Sequence, residues 1–185
     1  MGKTTTAAMF ADHGIPVWSA DAAVQDLYSK DGKGSKAIAD LAPDAVENGS
    51  VNRDILRKKI ASDPELLSKI ESVVHPLVKQ HRSHFIADQS VPIVLCDIPL
   101  LFETSDPADF DMIVTVTATP EIQHSRVMAR PGMTEEHFLT ILARQMPDAE
   151  KRAKSDYVID TSFGLEAARE AVNNVLAEIK GRLNA

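Results

Sequence analysis

Gly2-Lys3-Thr4-Thr5 runs straight into Thr6-Ala7-Ala8-Met9-Phe10-Ala11-Asp12, a stretch of helical composition that Gly14 is placed to end. The tetrapeptide matches the second half of the phosphate-binding pattern G-x-x-x-x-G-K-[ST]. In such a loop the backbone N–H groups at a helix N-terminus point at phosphate oxygens, and the helix dipole adds partial positive charge. Lys3 would then reach the outer phosphates, and the Thr4 hydroxyl could ligate a magnesium ion. Gly-Lys-Thr alone is equally compatible with an ordinary helix start. The position of Lys3 argues for the anion: a cation at the positive end of a helix dipole is unfavourable unless negative charge sits there.

Outward from this segment, short apolar runs alternate with helical patterns. Ile15-Pro16-Val17-Trp18 is a brief strand candidate carrying a proline. Ile93-Val94-Leu95-Cys96 and Met112-Ile113-Val114-Thr115-Val116 are runs of strand length, and Tyr157-Val158-Ile159-Asp160 is a last short one. Strands separated by helices need crossovers, so the expectation is a parallel α/β sheet. From Asp21 to Gln89 the pattern is helical, broken at Gly32, Gly34, Pro43 and Gly49. Asp63-Pro64-Glu65 is a helix start, with Leu66, Leu67, Ile70, Val73 and Val74 as its apolar stripe. This stretch exceeds a plain crossover and reads as an inserted helical lobe, spanning 22–90, suited to substrate specificity. Thr119-Pro120-Glu121 opens a helix towards Arg130, which Pro131-Gly132 ends. Thr134-Glu135-Glu136 opens another, a polar segment surrounds Pro147, and a closing helix carries Leu165, Ala168, Val172, Val175, Leu176, Ile179 and Leu183 on one side.

The 185 residues suffice for one domain with a substantial core, and 44% hydrophobic with 25% charged residues is ordinary for a globular protein. A net charge of −7 argues against broad binding to nucleic acid. It leaves room for a local cluster of cations around a small phosphorylated ligand. The single cysteine, Cys96, rules out an intramolecular disulfide framework and suits a reducing compartment. No apolar run approaches the roughly 20 residues of a membrane span, so a cytoplasmic protein without membrane contact is expected.

Several side chains carry two readings. Asp21 follows the first strand, where α/β ligand sites form; it can orient and deprotonate a hydroxyl substrate, or cap the helix beginning at Ala22. Asp97, after the second strand, can organise magnesium or cap the turn into Pro99. Gln123, Arg126 and Arg130 fall on one face of the helix after Thr119, either as a solvated stripe or as a lid over phosphates. His75, before Pro76, reads as a residue of a helix junction, and Arg53 as one of a solvated helix face. Glu103 reads as a rim acid.

As an ordered set, these segments resemble the dephospho-coenzyme A kinases. The set comprises Gly2-Lys3-Thr4-Thr5, Gly14-Ile15-Pro16-Val17 with Ala20-Asp21-Ala22, His75-Pro76-Leu77 and Asp97-Ile98-Pro99-Leu100-Leu101-Phe102-Glu103. It continues with Gln123, Arg126 and Arg130, then Arg144-Gln145, then Asp156-Tyr157-Val158-Ile159-Asp160 with Gly164. The resemblance implies a three-layer P-loop NTPase fold with a helical substrate lobe and a lid at 120–150. It implies transfer of the ATP γ-phosphate, with Mg2+, to the ribose 3′-hydroxyl of dephospho-coenzyme A. Asp21, Lys3 and Arg126 would be catalytic. Met1, Gly2, Lys3, Thr4, Thr5 and Arg130 would hold ATP; Asp21, Arg53, His75, Leu100 and Glu103 would hold the substrate; Thr4 and Asp97 would hold the metal.

Two positions depart from the family pattern. Ser19-Ala20-Asp21 stands for the usual Asp-Ala-Asp, leaving Asp21 as the sole acid there. Asp160-Thr161-Ser162 replaces a usual Asn, which puts an adenine contact by Thr161 in doubt. The resemblance also leads us to expect a central strand and the first glycines of the loop about ten residues upstream of Gly2, with activity of the chain poor without them. Two other readings stand beside this one: a different small-metabolite or nucleotide P-loop kinase, and a nucleotide- or coenzyme-A-binding protein without turnover.

Overall fold

The computed structural model describes residues 1–104 and 107–184. They form two units, Met1–Gly14 with Pro99–Ala185, and Ile15–Ile98. Helix α1 (Lys3–Asp12) belongs to the first and ends where expected, with the Gly14 N–H donating to the Ala11 carbonyl at 2.8 Å.

In the second unit, β1 (Val17–Ser19) leads without a loop into α2 (Ala20–Leu27), followed by α3 (Lys33–Leu41). Next come a one-turn 3-10 helix at Pro43–Ala45 and the strands β2 (Val46–Glu47) and β3 (Ser50–Val51). Helices α4 (Arg53–Ser62) and α5 (Pro64–Ala87) then lead to β4 (Leu95–Asp97). β1 and β4 pair in parallel, with Val17 opposite Leu95, Trp18 opposite Cys96 and Ser19 opposite Asp97. The core of this unit joins Ile38 of α3, Leu56 of α4, and Leu66, Ile70 and Val74 of α5.

Two expectations change here. The break assigned to Gly49 is the turn of an antiparallel hairpin, β2 with β3. Asn48 and Gly49 both adopt left-handed backbone, φ 51° and 82°, which is the combination a two-residue hairpin turn demands. His75-Pro76 is not a helix junction: both lie inside the 24-residue α5. Proline there removes one N–H from the ladder and crowds the preceding turn. The stripe Leu66, Ile70 and Val74, buried while α5 packs on α3 and α4, holds the helix through it.

The first unit resumes with α6 (Leu101–Thr104) and a 3-10 turn at Pro107–Asp109, then β5 (Val114–Thr117). It continues through α7 (Pro120–Met128), α8 (Glu135–Ala143), α9 (Asp148–Ala153), β6 (Tyr157–Asp160) and α10 (Leu165–Leu183). β5 and β6 are parallel, with Val114 opposite Tyr157 and Thr117 opposite Asp160. Helix α1 buries Thr6, Ala7, Met9 and Phe10 and packs on α10, which buries Ala168, Val172, Val175 and Leu176. The caps predicted at Asp63, Thr119 and Thr134 all accept backbone N–H bonds.

β5 is shifted from its expected place and turns its threonines inward. Thr115 and Thr117 are buried, and both are satisfied: Thr115 Oγ1 lies 2.6 Å from Ser155 Oγ, and Thr117 Oγ1 donates to Asp148 Oδ1 at 2.8 Å. The polar segment around Pro147 supplies the second partner because it forms α9, with Pro147 at its N-cap. Among the described helices none is long and apolar enough to cross a membrane.

Gly49→Ala tests the hairpin. A Cβ there would stand 2.9 Å from Asp31 Oδ1, on a residue already at φ 82°. The left-handed cost alone is about 1–2 kcal/mol, so denaturant unfolding should register at least that loss; unchanged stability would refute the turn geometry.

Candidate active site

Helix α1 begins at Gly2, whose φ of 83° and ψ of 13° set the entry of the chain. A Cβ on Gly2 would meet Thr161 Cγ2 and Oγ1 at 3.5 Å, an ordinary contact. Glycine is therefore required by the backbone conformation rather than by space. No side chain caps this N-terminus and its first turn holds no acid. The Thr6 N–H closes the first turn on the Gly2 carbonyl at 2.9 Å, and the Thr6 hydroxyl donates to the same oxygen at 3.1 Å. The N–H groups of the preceding residues have no intrahelical acceptor. Lys3 is half-buried at the first helical position, while Thr4 and Thr5 are exposed. An uncapped N-terminus carrying a lysine has the chemistry to receive an anion.

Arg126, on α7, reaches the end of β6. Its guanidinium donates through Nη1 to Thr161 Oγ1 at 2.7 Å and through Nη2 to the Thr161 carbonyl at 2.9 Å. Thr161 is buried, and its Oγ1 lies 3.0 Å from both the Met1 and the Thr117 carbonyl oxygens. Its one proton serves one of these at a time. The cations also converge electrostatically: burial first, then Arg130, Arg126 and Lys3, hold the Met1 amine below its usual range. A cleft of about 240 Å³ opens beside them, lined by Gly2, Thr5, Thr6, Arg126, Thr161 and Gly164 among others.

The sequence placed Arg126 here but gave Thr161 no firm role; the structure makes Thr161 the acceptor that aims the arginine. The departure from the family pattern at 160–162 bore only on an adenine contact by Thr161, which it put in doubt. Arg130 requires a correction. Helix α7 ends at Met128 with Ala129 as its C-cap, so Arg130 lies beyond the helix and is exposed. It precedes Pro131, and the residue before a proline is disfavoured in helical backbone. Gln123 and Arg126 share the helix; Arg130 does not.

Glu103 is no rim acid. Its Oε1 takes Lys151 Nζ at 2.7 Å and the Met146 N–H at 2.8 Å, with the two side chains 16% and 10% exposed. Burial raises its pKa, but the Lys151 and Met146 contacts outweigh that, and the carboxyl sits below the usual glutamate range. Its Oε2 is buried without a partner among the described residues. The sequence offered no sign of Lys151. Leu100 lies half-buried in the turn before α6.

In the second unit, Asp21 occupies the first turn of α2 and is exposed. It is not the cap. Ser19 Oγ accepts the Ala22 N–H at 3.4 Å, because the helix starts at Ala20, two residues earlier than expected. Asp97 closes β4 opposite Ser19, so the two acids stand at the carboxyl ends of neighbouring parallel strands. Arg53 opens α4 with its guanidinium 5.8 Å from the centre of the Tyr28 ring. His75 is exposed midway along α5. Among the described residues no group of three or more His, Cys, Asp or Glu could cage a metal.

Lys151→Met would strand the Glu103 carboxylate, and losing one member of a buried pair costs about 3 kcal/mol. Adding Glu103→Gln should recover most of it. Because the folded glutamate pKa is lowered, its contribution is complete above the ordinary glutamate range and disappears as pH falls through the folded value. Acid unfolding of the double variant should accordingly be less steep than that of the parent. Equal steepness would remove the ion pair from the account.

The chain matches the family model described as dephospho-CoA kinase over residues 1–166. It is 49% identical over 180 residues to the dephospho-CoA kinase of Cereibacter sphaeroides, covering 97% of this chain and 91% of that one. It is 46% identical over 185 residues to that of Brucella melitensis, covering 98% and 92%. A crystal structure from Thermus thermophilus superposes with a TM-score of 0.83 at 34% identity, over 96% of this chain and 91% of that one. The dephospho-CoA kinase from Campylobacter jejuni shares the fold, with a TM-score of 0.72 at 22% identity and 98% and 93% coverage. With the α/β architecture and the uncapped cationic helix start described above, these likenesses place the chain in the dephospho-CoA kinase family.

Proposed function

We propose that this chain transfers the γ-phosphate of ATP to the ribose 3′-hydroxyl of dephospho-coenzyme A, giving ADP and coenzyme A, the last step of coenzyme A synthesis. The observation that carries this reading is the start of α1: a helix N-terminus without a side-chain cap, Lys3 at the first position and the Arg126 fork beside one cleft. Membership of the family supplies the substrate.

Phosphoryl transfer needs positioning and charge neutralisation more than covalent help. The backbone from Met1 to Thr5 and the Lys3 ammonium hold the outer phosphates. Arg126 offers a planar fork suited to phosphate oxygens, and Arg130, on the exposed turn after α7, adds a second cation. The cleft beside Gly2, Thr161 and Gly164 takes the adenine side of ATP, and 120–150 acts as the lid on the bound nucleotide. Asp21 orients the 3′-hydroxyl. The hydroxyl oxygen forms the new bond to the γ-phosphorus, the bond from that phosphorus to the bridging oxygen of ADP breaks, and Asp21 accepts the hydroxyl proton late. The lobe at 22–90 receives the coenzyme moiety through Arg53 and His75. Leu100 contributes apolar contact, and Glu103 takes part only through Oε2, since its Oε1 is occupied.

Magnesium fits this residue set in the mode where the ion travels with the nucleotide: the Thr4 hydroxyl and the Asp97 carboxylate suit a hard cation that keeps waters and phosphate ligands, and no protein cage is required. When bound it would neutralise phosphate charge. The thiol state of the lone Cys96 is in keeping with a cytoplasmic site of action.

Transfer from labelled ATP to dephospho-coenzyme A, compared with transfer to nucleoside monophosphates, tests the substrate; preference for the latter would refute the reading. Lys3→Ala should lower turnover by about two orders of magnitude or more with the melting temperature nearly unchanged. Asp21→Asn should keep ATP affinity and lose transfer by roughly 100-fold or more. If instead its main effect were on thermal stability, Asp21 would be a structural residue of α2.

A further inference from the structure

Trp18, the chain's single tryptophan, is almost fully buried at 3% exposure. Its indole N–H donates to Nδ1 of His81 at 2.9 Å, with the ring centroids 6.3 Å apart. A buried indole N–H has nothing else to give itself to, so this bond sets the orientation of the ring. Accepting it requires a lone pair on Nδ1, which leaves the proton of the neutral imidazole on Nε2. That nitrogen faces Asp26 Oδ2 at 3.7 Å.

The three residues come from three elements. Trp18 is the middle residue of β1, Asp26 stands in the last turn of α2, and His81 projects from α5. The imidazole therefore binds the strand that feeds α2 through Trp18, while the exposed Asp26 carboxylate at 3.7 Å stands beyond hydrogen-bond reach. Asp21 follows Trp18 by three residues, exposed in the first turn of α2. Its placement is inherited from the strand-to-helix corner, and the long α5 is the fixed body against which that corner is held.

We propose that His81 is a positioning residue for phosphoryl transfer, acting through Trp18 on the corner that carries Asp21. The inference rests on the role given to Asp21 above. Small misplacements of a reacting group cost large factors in rate, so the effect belongs in kcat rather than in the KM for ATP.

The test combines steady-state kinetics with the emission of Trp18, which is the only indole signal. In His81→Asn the side-chain oxygen can occupy the place of Nδ1 and accept the indole N–H; in His81→Leu the acceptor is lost. His81→Leu should lower kcat roughly 10- to 100-fold, leave the KM for ATP unchanged and shift the Trp18 emission. His81→Asn should restore the emission and most of kcat. In an Asp21→Asn background, His81→Leu should add no further loss. Should His81→Leu fail to fold, Trp18→Phe leaves a smaller aromatic ring in the site, removes the donor and should show the same fall in kcat. Parental kcat in His81→Leu or Trp18→Phe, with Asp21→Asn inactive, would overturn the positioning role and leave Asp21 in place. Losses that simply multiply would overturn the route through Asp21. Parental kcat in Asp21→Asn would overturn the Asp21 reading, and this inference with it.

Discussion

A buried hydroxyl with one proton, two carbonyl acceptors within reach and a guanidinium aimed at it can sit in very few places, and Thr161 is such a group. It directly follows β6, touches the backbone just before α1, and receives the fork of Arg126 from α7. Three elements of the first unit thus meet at one side chain. Removing the hydroxyl would leave buried donors and acceptors unmatched, which costs more than a well-made hydrogen bond contributes. The orientation of the arginine and the course of the chain into α1 are consequences of that single satisfaction problem.

Charge is used locally and against the overall balance. The chain is acidic, with a net charge of −7, yet Lys3, Arg126 and Arg130 bear on one point, where burial first and then their joint field lower the pKa of an amine. Focusing cations in an acidic protein favours a small polyanion over an extended one. Nearby acids are kept in order by pairing. Glu103 is tied to Lys151, and Asp160 is held below its usual range chiefly by the Ser162 hydroxyl, then by the Ser162 N–H.

The second unit solves a different problem, how to present a carboxylate from an exposed helix start. Its core lies among α3, α4 and α5. At the strand-to-helix corner Trp18, Ala23 and Leu27 are buried and α2 packs on α5, and hydrogen bonds add to this: Ser19 caps α2, and Trp18 binds His81. Arg53 over Tyr28 and the hairpin turn at Asn48-Gly49 tidy the opposite part of the same unit.

What the amino-acid sequence determined by itself is what local chemistry determines. Helix starts at Asp63, Thr119 and Thr134 follow from side chains that bond their own helix, and the phosphate-binding reading of Gly2-Lys3-Thr4 follows from the charge and geometry of one helix end. The alternation of strands and helices carried the α/β class, and the order of motifs carried the family. Tertiary structure decided what depends on partners distant in the chain. Val114 to Thr117 could not be read as a strand with its threonines inside, because Ser155 and Asp148 satisfy them from about 30 to 40 positions away. The proline in α5 was tolerated because neighbouring helices cover the apolar stripe, and Glu103 became an internal ion-pair member because Lys151 was brought to it. Thr161 and His81 have no local signature at all: each gains its role from a hydrogen bond to a residue far along the sequence, and only the folded chain supplies that partner.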